Sequence, residues 1–389
     1  MRILFSTPYY VPELKFGGPP RKIHSLAAGL AARGHAVSVL TFNSEAPRSV
    51  ECRSIDGVTV QELRWWGRGL RQMPRDRDVI DQALGNADIL QCFGLFNLLS
   101  PTVAAAAYRG RVPFVLEPLG MYPPRAGNLL MKHAYNAVIT RWLTRRAAAV
   151  IAASEAEARD LATIVDERKI LYRRNGIDVG GFAKISPENS LRPRWGITDG
   201  EALVLYVGRI SPVKNLEQLV MAFASANLPN VRLVMVGPLS ESRYEKRLRS
   251  LITAHRLEST VSLPGPLYGD EQKAALASAD LFVLPSINES FGNAAAEAVA
   301  ADVPVLLTDT CGIAPLIHRR AGLAVPLGID SLAEGMKALM DPQIRAEVTA
   351  HTMEVKRELS WDEPIAETIR LYETIIRGLN PQPATTSAR

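Results

Sequence analysis

The chain has 389 residues, 47% hydrophobic and 22% charged, with a formal net charge of +5. This length allows two domains of ordinary size, and the composition is that of a soluble globular protein. No apolar run reaches about 18 residues, so the sequence predicts no membrane-spanning helix. Cys52, Cys92 and Cys311 lack zinc-site spacing. They indicate a reduced, cytoplasmic setting. A location at the inner face of the cytoplasmic membrane is compatible with this setting.

The N-terminal stretch predicts a strand followed by a glycine loop. ILFSTP is apolar but too short for a signal peptide, and Gly17 and Gly18 precede a helix closed by Gly34. A glycine has no Cβ, so Gly18 lets the backbone come close to an anion. The loop is not G-x-G-x-x-G, and no acidic residue follows where a nicotinamide ribose would need one, which disfavours a dehydrogenase.

Positive charge is concentrated in the first half of the chain. Residues 1–180 contain 24 Lys and Arg against 16 Asp and Glu, whereas residues 181–389 contain 21 against 24. Anionic lipid head groups or another phosphate-bearing partner would suit this basic half. No aromatic-interleaved basic motif appears, so nucleic acid is not an expected partner.

The stretch RWWGRGLRQMPRDR, residues 64–77, contains five arginines and two tryptophans. Trp beside Arg is typical of a membrane interface, and a solvated loop is the alternative. It runs into Asp76-Arg77-Asp78, a D-x-D pattern that can hold a metal. We expect it to open a helix instead, because Asp near a helix start is favoured by the dipole.

The strands in ADILQCF and VPFVLEP should end near the site, at Phe93 and Glu117. Glu117, followed by Leu119 and Gly120, either acts on the acceptor side or is a salt-bridged structural carboxylate. Residues 128–146 predict one long basic helix. Its apolar residues follow helical spacing, so we expect them to pack on the core. They are Leu129, Leu130, Ala134, Ala137 and Val138.

From residue 201 onward, strands alternate with helices, which predicts a parallel sheet. In YVGRISPVKNLEQ, Arg209 and Lys214 both follow the strand ALVLYVG. Arginine binds phosphate oxygens in a fork, and lysine acts as a mobile point charge, so the pair suits a diphosphate. A solvated basic loop is the alternative.

A second motif lies in ADLFVLPSINESFGNAAAEAVAADVP, residues 279–304, where a buried strand leads through a polar turn into an Ala-rich helix. Glu289 precedes the helix, and Glu297 lies eight residues later inside it. Ligands of open α/β sheets bind at such strand ends, and a helix N-terminus favours anions. The alternative is a surface turn before a core helix with Glu297 facing water.

These motifs together resemble the retaining glycosyltransferases of family 4. The resemblance also includes RRAAAVIAASEAEARDL and RRNGIDV, residues 145–161 and 173–179. It implies an α/β, GT-B fold of two Rossmann-like parallel-sheet domains that face a central cleft. The expected domains are residues 1–180 and 201–360, joined by a linker at 181–200. The last helix, at about 361–379, would cross back to the first domain, before a disordered tail at 380–389.

The resemblance further implies a metal-independent, retaining hexosyltransferase that needs no cofactor and uses a UDP-sugar or GDP-sugar as donor. Arg209 and Lys214, with the glycine loop and the amides of the 290–293 turn, would hold the diphosphate. Glu289 would bind sugar hydroxyls, Glu297 the ribose and Tyr268 the base. The expected donor-site residues are Gly17, Gly18, Arg209, Lys214, Tyr268, Glu289, Ser290, Phe291, Gly292, Asn293 and Glu297. Glu289, Arg209 and Lys214 are the expected catalytic residues.

One departure from the family concerns histidines. Many relatives carry them where this chain has Gln91, Phe93 and Leu119. This departure leaves two alternatives open, a catalytically weak sugar-nucleotide-binding subunit and a nucleotide-sugar epimerase of the same fold. A pyridoxal-phosphate phosphorylase would need a longer C-terminal domain. The basic half favours a lipid-linked or polysaccharide acceptor, with a small molecule as the alternative, and peripheral contact with an anionic membrane.

Overall fold

The computed structural model describes residues 1–12, 18–42, 51–67, 72–124, 128–182, 185, 190–239 and 241–378. The chain divides into two compact units. Unit 1 is Met1–Asn175 with Trp361–Arg389, and unit 2 is Gly176–Ser360. Gly17 and the tail at 380–389 lie outside the described residues, as does part of the expected linker.

Unit 1 is built on an eight-stranded sheet. The order of its strands is β10-β9-β8-β7-β1-β2-β4-β3, and a short hairpin pairs β5 with β6. The eight-stranded sheet is parallel except for its edge strand β3, which runs antiparallel to β4. The strands are β1 Arg2–Ser6, β2 Ala36–Phe42, β3 Glu51–Ile55, β4 Val58–Leu63, β5 Trp65–Trp66, β6 Met73–Pro74, β7 Ile89–Phe93, β8 Phe114–Glu117, β9 Ala149–Ala152 and β10 Ile170–Tyr172.

Helices pack on both faces of this sheet, because its central strands are apolar on both sides. The helices are α1 Gly18–Ala32, α2 Arg77–Gly85, α3 Leu99–Arg109, α4 Leu129–Tyr135, α5 Arg141–Arg146 and α6 Glu155–Ala162. The prediction that the D-x-D stretch opens a helix is confirmed by α2. However, Asp76 does not cap it; its carboxylate accepts hydrogen bonds from the backbone and side chain of Arg64, both 2.7 Å long.

The predicted long basic helix is interrupted. A π-helical turn, Asn136–Thr140, joins α4 to α5. The side chains that face the core are Tyr135, Thr140, Leu143 and Thr144, with a spacing of five across the π turn. The expectation that Leu129, Leu130, Ala134, Ala137 and Val138 pack on the core is wrong, because all five are exposed.

Unit 2 contains a six-stranded, wholly parallel sheet in the order β13-β12-β11-β14-β15-β16. The strands are β11 Ala202–Val207, β12 Val231–Val236, β13 Val261–Gly265, β14 Leu281–Leu284, β15 Val305–Thr308 and β16 Gly322–Val325. The helices are α7 Val179–Phe182, α8 Leu216–Ala226, α9 Ser242–Ala254, α10 Asp270–Ala277, α11 Asn293–Ala300, α12 Ala314–Ile317, α13 Ile329–Met340, α14 Pro342–Val348 and α15 Thr352–Glu358. This is the strand order of a Rossmann fold.

The order of the unit 2 strands places a switch point between β11 and β14. The chain moves outward from β11 to β13 on one side, and then restarts at β14 on the other. Loops that leave the carboxyl ends of these two strands diverge, and a crevice for ligands opens between them. The segments after β11 and β14 are those that contain Arg209, Lys214 and Glu289.

The last described helix, α16, runs from Asp362 to Ile376 and belongs to unit 1. It packs on α1, where the Ile365 side chain lies against Gly29 so closely that a Cβ there would fall 2.2 Å from it. Tyr372 and Ile365 are buried in the same core as strands β1 and β2. Helix α16 therefore forms part of the helical layer of unit 1 that contains α1.

Candidate donor site

A tight turn after β11 positions Lys214. Pro212–Lys214 forms a single 3₁₀ turn, which Asn215 closes in the left-handed conformation, with φ of 58°. The backbone N–H of Leu216, at the start of α8, donates to the buried Tyr244 hydroxyl at 3.1 Å. Because both ends of the turn are fixed, Lys214 is held at the carboxyl end of the sheet.

Hydrogen bonds to the segment after β15 fix the loop that carries Glu289. The Gly312 N–H donates to the Glu289 carbonyl at 2.9 Å, and the Ile313 N–H donates to the Phe291 carbonyl at 2.8 Å. The Thr308 and Thr310 hydroxyls both donate to the Ser286 carbonyl. These hydrogen bonds fix the loop and therefore the position of the Glu289 carboxylate.

Lys214 and Glu289 form an ion pair at the switch point. Each side chain keeps 20% of its surface exposed, so a ligand can reach both. The backbone joins the same two loops, since the Ile287 N–H donates to the Val213 carbonyl at 3.0 Å. Arg209 leaves the same strand end with an exposed side chain, and its carbonyl accepts a hydrogen bond from the buried Tyr206 hydroxyl at 2.9 Å.

Helix α11 begins directly after this loop. Gly292 precedes it with φ of 109°, a conformation that favours glycine, and a Cβ there would lie 3.0 Å from the Ile313 side chain. Phe291 is buried, whereas Ser290 and Asn293 are partly exposed. The first turn of a helix presents backbone N–H groups that lack intrahelical partners, which favours an anion at this point.

Glu297 lies in α11 and accepts a hydrogen bond from the Gln272 side chain at 2.9 Å. Gln272 belongs to α10, and Tyr268 lies just before that helix with 43% of its surface exposed. Helix α10, which follows Tyr268, is therefore joined to α11 by one side-chain hydrogen bond. Sequence reasoning missed Gln272, because a glutamine in a charged helix has no local signal.

Cys311 lies beneath the Glu289 loop and is another residue that sequence reasoning did not assign. It is buried, and burial raises the pKa of its thiol to about 12. The thiol is thus protonated at neutral pH, and it packs as a small apolar group. The described residues contain no group of three or more His, Cys, Asp and Glu side chains that could hold a metal ion.

In unit 1, Gly18 is the first residue of α1.

Glu117, at the end of β8, is fully buried and forms ion pairs with Lys22 of α1 and with Arg173, the latter at 2.6 Å. The Gln91 side-chain amide also donates to Glu117, at 2.7 Å. The structure favours the second interpretation of Glu117, a salt-bridged structural carboxylate.

The charge of Glu117 results from two opposed effects. Burial alone would raise the pKa of its carboxyl, but the Arg173 and Lys22 cations outweigh burial, and the pKa lies below its ordinary value. The network continues into α16, since Arg173 donates to the Thr368 hydroxyl at 2.7 Å and the Tyr372 hydroxyl donates to Gln91. Gln91, at one of the positions where relatives carry histidine, is thus a buried structural residue.

Leu119 and Gly120 form the turn after β8, and both have left-handed backbones, with φ of 61° and 73°. The Glu157 carboxylate accepts a hydrogen bond from the Gly120 N–H at 2.5 Å, and another from the Ala153 N–H at 2.8 Å. Leu119 is half-buried, and Phe93 is buried against Phe5 with 4.9 Å between ring centroids. The turn after β8 therefore carries one apolar side chain, that of Leu119, whereas Phe93 belongs to the core.

Two family models match the chain over most of its length. Residues 17–176 match the glycosyl transferase 4-like domain, and residues 187–352 match the glycosyl transferases group 1. Among curated proteins, an uncharacterised glycosyltransferase of Methanocaldococcus jannaschii is 28% identical, covering 96% of this chain and 98% of its own.

Solved structures show the fold. Sucrose-phosphate synthase from Thermosynechococcus elongatus superposes with a TM-score of 0.78 at 20% identity, covering 97% of this chain and 99% of its own. HepE of Anabaena, solved in complex with UDP and glucose, gives a TM-score of 0.75 at 22% identity and covers 96% and 100%. With its two Rossmann-like parallel-sheet domains of the GT-B fold, the chain belongs to the group 1, GT4-like glycosyltransferases.

Proposed function

We propose that this protein transfers a hexose from a nucleoside diphosphate donor to an acceptor, with retention at the anomeric carbon. The observation that carries the proposal is the Lys214–Glu289 pair at the switch point, next to the first turn of α11. A cation and a helix N-terminus suit the diphosphate, and a carboxylate beside them suits the sugar hydroxyls. The UDP and glucose bound in HepE support a UDP-sugar as donor, with a GDP-sugar as the alternative.

In the proposed reaction, the bond between the anomeric carbon and the diphosphate oxygen breaks, and a bond to the acceptor oxygen forms on the same face of the sugar. The acceptor proton passes to the leaving phosphate oxygen. Arg209 and Lys214 stabilise the negative charge that grows on the diphosphate. A well-placed donor to such a charge contributes about 3 kcal/mol.

The remaining site residues bind and orient the donor. Glu289 accepts hydrogen bonds from sugar hydroxyls, Glu297 accepts them from the ribose, and Tyr268 lies against the base. The backbone amides of Phe291, Gly292 and Asn293 contact the phosphates. In this proposal, side chains and backbone amides neutralise the charge of the diphosphate in place of a metal ion, so the proposed reaction is metal-independent.

The acceptor is proposed to be a lipid-linked saccharide or a polysaccharide. The turn after β8 carries the half-buried Leu119 instead of a histidine, which suits an acceptor with an apolar part better than one with phosphate alone. A small-molecule acceptor is the alternative that product analysis would reveal.

Thermal unfolding with UDP, GDP, ADP and their sugar conjugates tests the donor site. A ligand at about 100 times its Kd adds about 2.7 kcal/mol to the free energy of unfolding. We expect one nucleotide to raise the melting temperature of the wild type, and to raise that of Lys214→Ala by about half as much or less, since a higher Kd lowers the stabilisation at the same ligand concentration. No shift with any nucleotide would contradict the proposed donor site.

A further inference from the structure

The exposed side of the helical run from α4 to α5 carries the two most exposed large apolar side chains among the described residues. Leu130 has 84% of its surface exposed and Val138 has 70%. Leu129 and Met131, on either side of Leu130, are 44% and 36% exposed, so the run carries a contiguous apolar patch, which can mark an interaction site. The run is about 25 Å long, at about 1.5 Å per residue, so it offers an extended face.

The same face is strongly basic. Residues 128–146 contain four Lys and Arg and no Asp or Glu, and residues 99–116 also contain no acidic residue. Arg141 and Arg145 are exposed on the side of Leu130 and Val138. Within the part of the chain that the structure describes, neither forms an ion pair. The surface therefore combines apolar side chains with uncompensated positive charge.

Aromatic rings border the basic end. The Arg146 guanidinium lies over the rings of Tyr108 and Trp142, with 5.1 Å to each centroid, and Tyr108 is more than half exposed. Tyr and Trp beside Arg are enriched where a protein meets the head-group layer of a bilayer. We define the basic helix surface by Leu130, Val138, Arg141, Arg145, Arg146 and Tyr108.

We propose that the basic helix surface docks unit 1 on an anionic lipid bilayer. An amphipathic helix that lies in the interface buries its apolar side chains at the head-group boundary, and its cations bind anionic lipids. In the Trp-Arg stretch, two of the described residues are engaged within unit 1, since Arg64 is paired with Asp76 and Trp65 packs near Phe42. This inference does not depend on the proposed donor site.

Flotation of the full chain with vesicles tests the docking surface, without any sugar nucleotide present. We expect the protein to float with vesicles of phosphatidylcholine and phosphatidylglycerol, and to remain in solution with phosphatidylcholine alone. High salt should release it, since salt screens charges at the surface. A wild-type protein that does not float with the anionic vesicles would overturn the proposal.

Substitutions on the basic helix surface separate the contribution of the arginines to vesicle binding from that of the apolar side chains. Arg141→Gln with Arg145→Gln should lower the vesicle partition coefficient about 30-fold, because each basic residue near an anionic surface strengthens binding about fivefold. Leu130→Ser with Val138→Ser should lower it about tenfold or more. Arg243→Gln with Lys246→Gln, on exposed positions of α9, is the matched control and should bind as the wild type does.

All four replaced side chains of the basic helix surface are exposed, so circular dichroism should show folded variants. Surface variants that bind vesicles as tightly as the wild type would overturn the proposal. So would a stable dimer in light scattering that Leu130→Ser with Val138→Ser dissociates, since a second copy of the chain would then cover this face.

Discussion

Lys214 and Glu289 lie 75 residues apart in the sequence and form an ion pair at the switch point of the unit 2 sheet. Each residue comes from a different strand end, and each loop is fixed by backbone hydrogen bonds, so the pair is positioned before any ligand arrives. A diphosphate that binds here would compete with Glu289 for the lysine.

Lys214→Ala should weaken nucleoside diphosphate binding. Loss of a hydrogen bond to a charged group changes binding by about 1.5–3 kcal/mol, so the Kd should rise roughly 10- to 100-fold. Titration calorimetry with the nucleotide found in the thermal panel measures the change. Lys246→Ala, an exposed lysine of α9, serves as control. Equal Kd values for both variants and the wild type would show that Lys214 does not bind phosphate.

Glu289→Gln should separate binding from transfer. The change frees Lys214 from its partner, so the nucleoside diphosphate should bind at least as tightly as it does to the wild type. Transfer should fall roughly 100- to 1,000-fold, because a contact to the reacting sugar is lost. Glu258→Gln, on an exposed turn, is the control. Wild-type transfer by Glu289→Gln would remove Glu289 from the site.

Local patterns in the sequence assigned Lys214 and Glu289 to one site, although they did not predict the ion pair between the two side chains. Buried strands, turn residues and an Ala-rich helix follow one another within about 25 residues in each motif, and parallel strands bring their carboxyl ends to one edge. The edge strands β3 and β16 were not predicted. Each is short, and each is a strand because it pairs with one neighbouring strand, β4 and β15 respectively.

The helical run 128–146 shows a different limit of sequence reasoning. Apolar spacing identified one face through Leu130 and Val138, but the core is covered by the opposite face, through Tyr135 and Leu143. Periodicity tells which residues share a face; which face is covered depends on the rest of the fold. The pairing of Glu117 with Lys22 and Arg173 was likewise not visible, because the three residues come from distant segments.

Glu117→Gln should destabilise the protein by about 3–5 kcal/mol at neutral pH, because it leaves buried Lys22 and Arg173 without their counter-charge. Urea unfolding measures the loss. Glu155→Gln, at an exposed position of α6, should be nearly neutral. A similar stability of both variants would mean that the buried pair contributes little.

The effect of Glu117→Gln should depend on pH. The pKa of Glu117 is lower in the folded protein than in the unfolded chain. Its charge therefore stabilises the fold above the unfolded pKa of about 4.3, and this contribution is lost as pH falls through the folded pKa. The stability difference between wild type and variant should shrink as pH is lowered below about 4. A constant difference would argue against an ionised Glu117.

Tyr372→Phe should cost about 1–2 kcal/mol of stability. The Tyr372 hydroxyl donates to the buried Gln91, and the variant leaves that acceptor unsatisfied. Tyr108→Phe, at a half-exposed ring, is the control. Equal denaturation midpoints for the two variants would indicate that the bond between α16 and β7 is not needed for the stability of unit 1.

The most direct test of the account follows the anomeric proton of a sugar nucleotide by NMR, with purified protein and a bacterial lipid extract as the source of acceptors. We predict that a UDP- or GDP-sugar is consumed, that the free nucleoside diphosphate appears, and that the new glycoside has the anomeric configuration of the donor. Lys214→Ala and Glu289→Gln should lose this conversion. An inverted product, an isomerised sugar still attached to its diphosphate, or a donor left intact by the wild type would contradict the account.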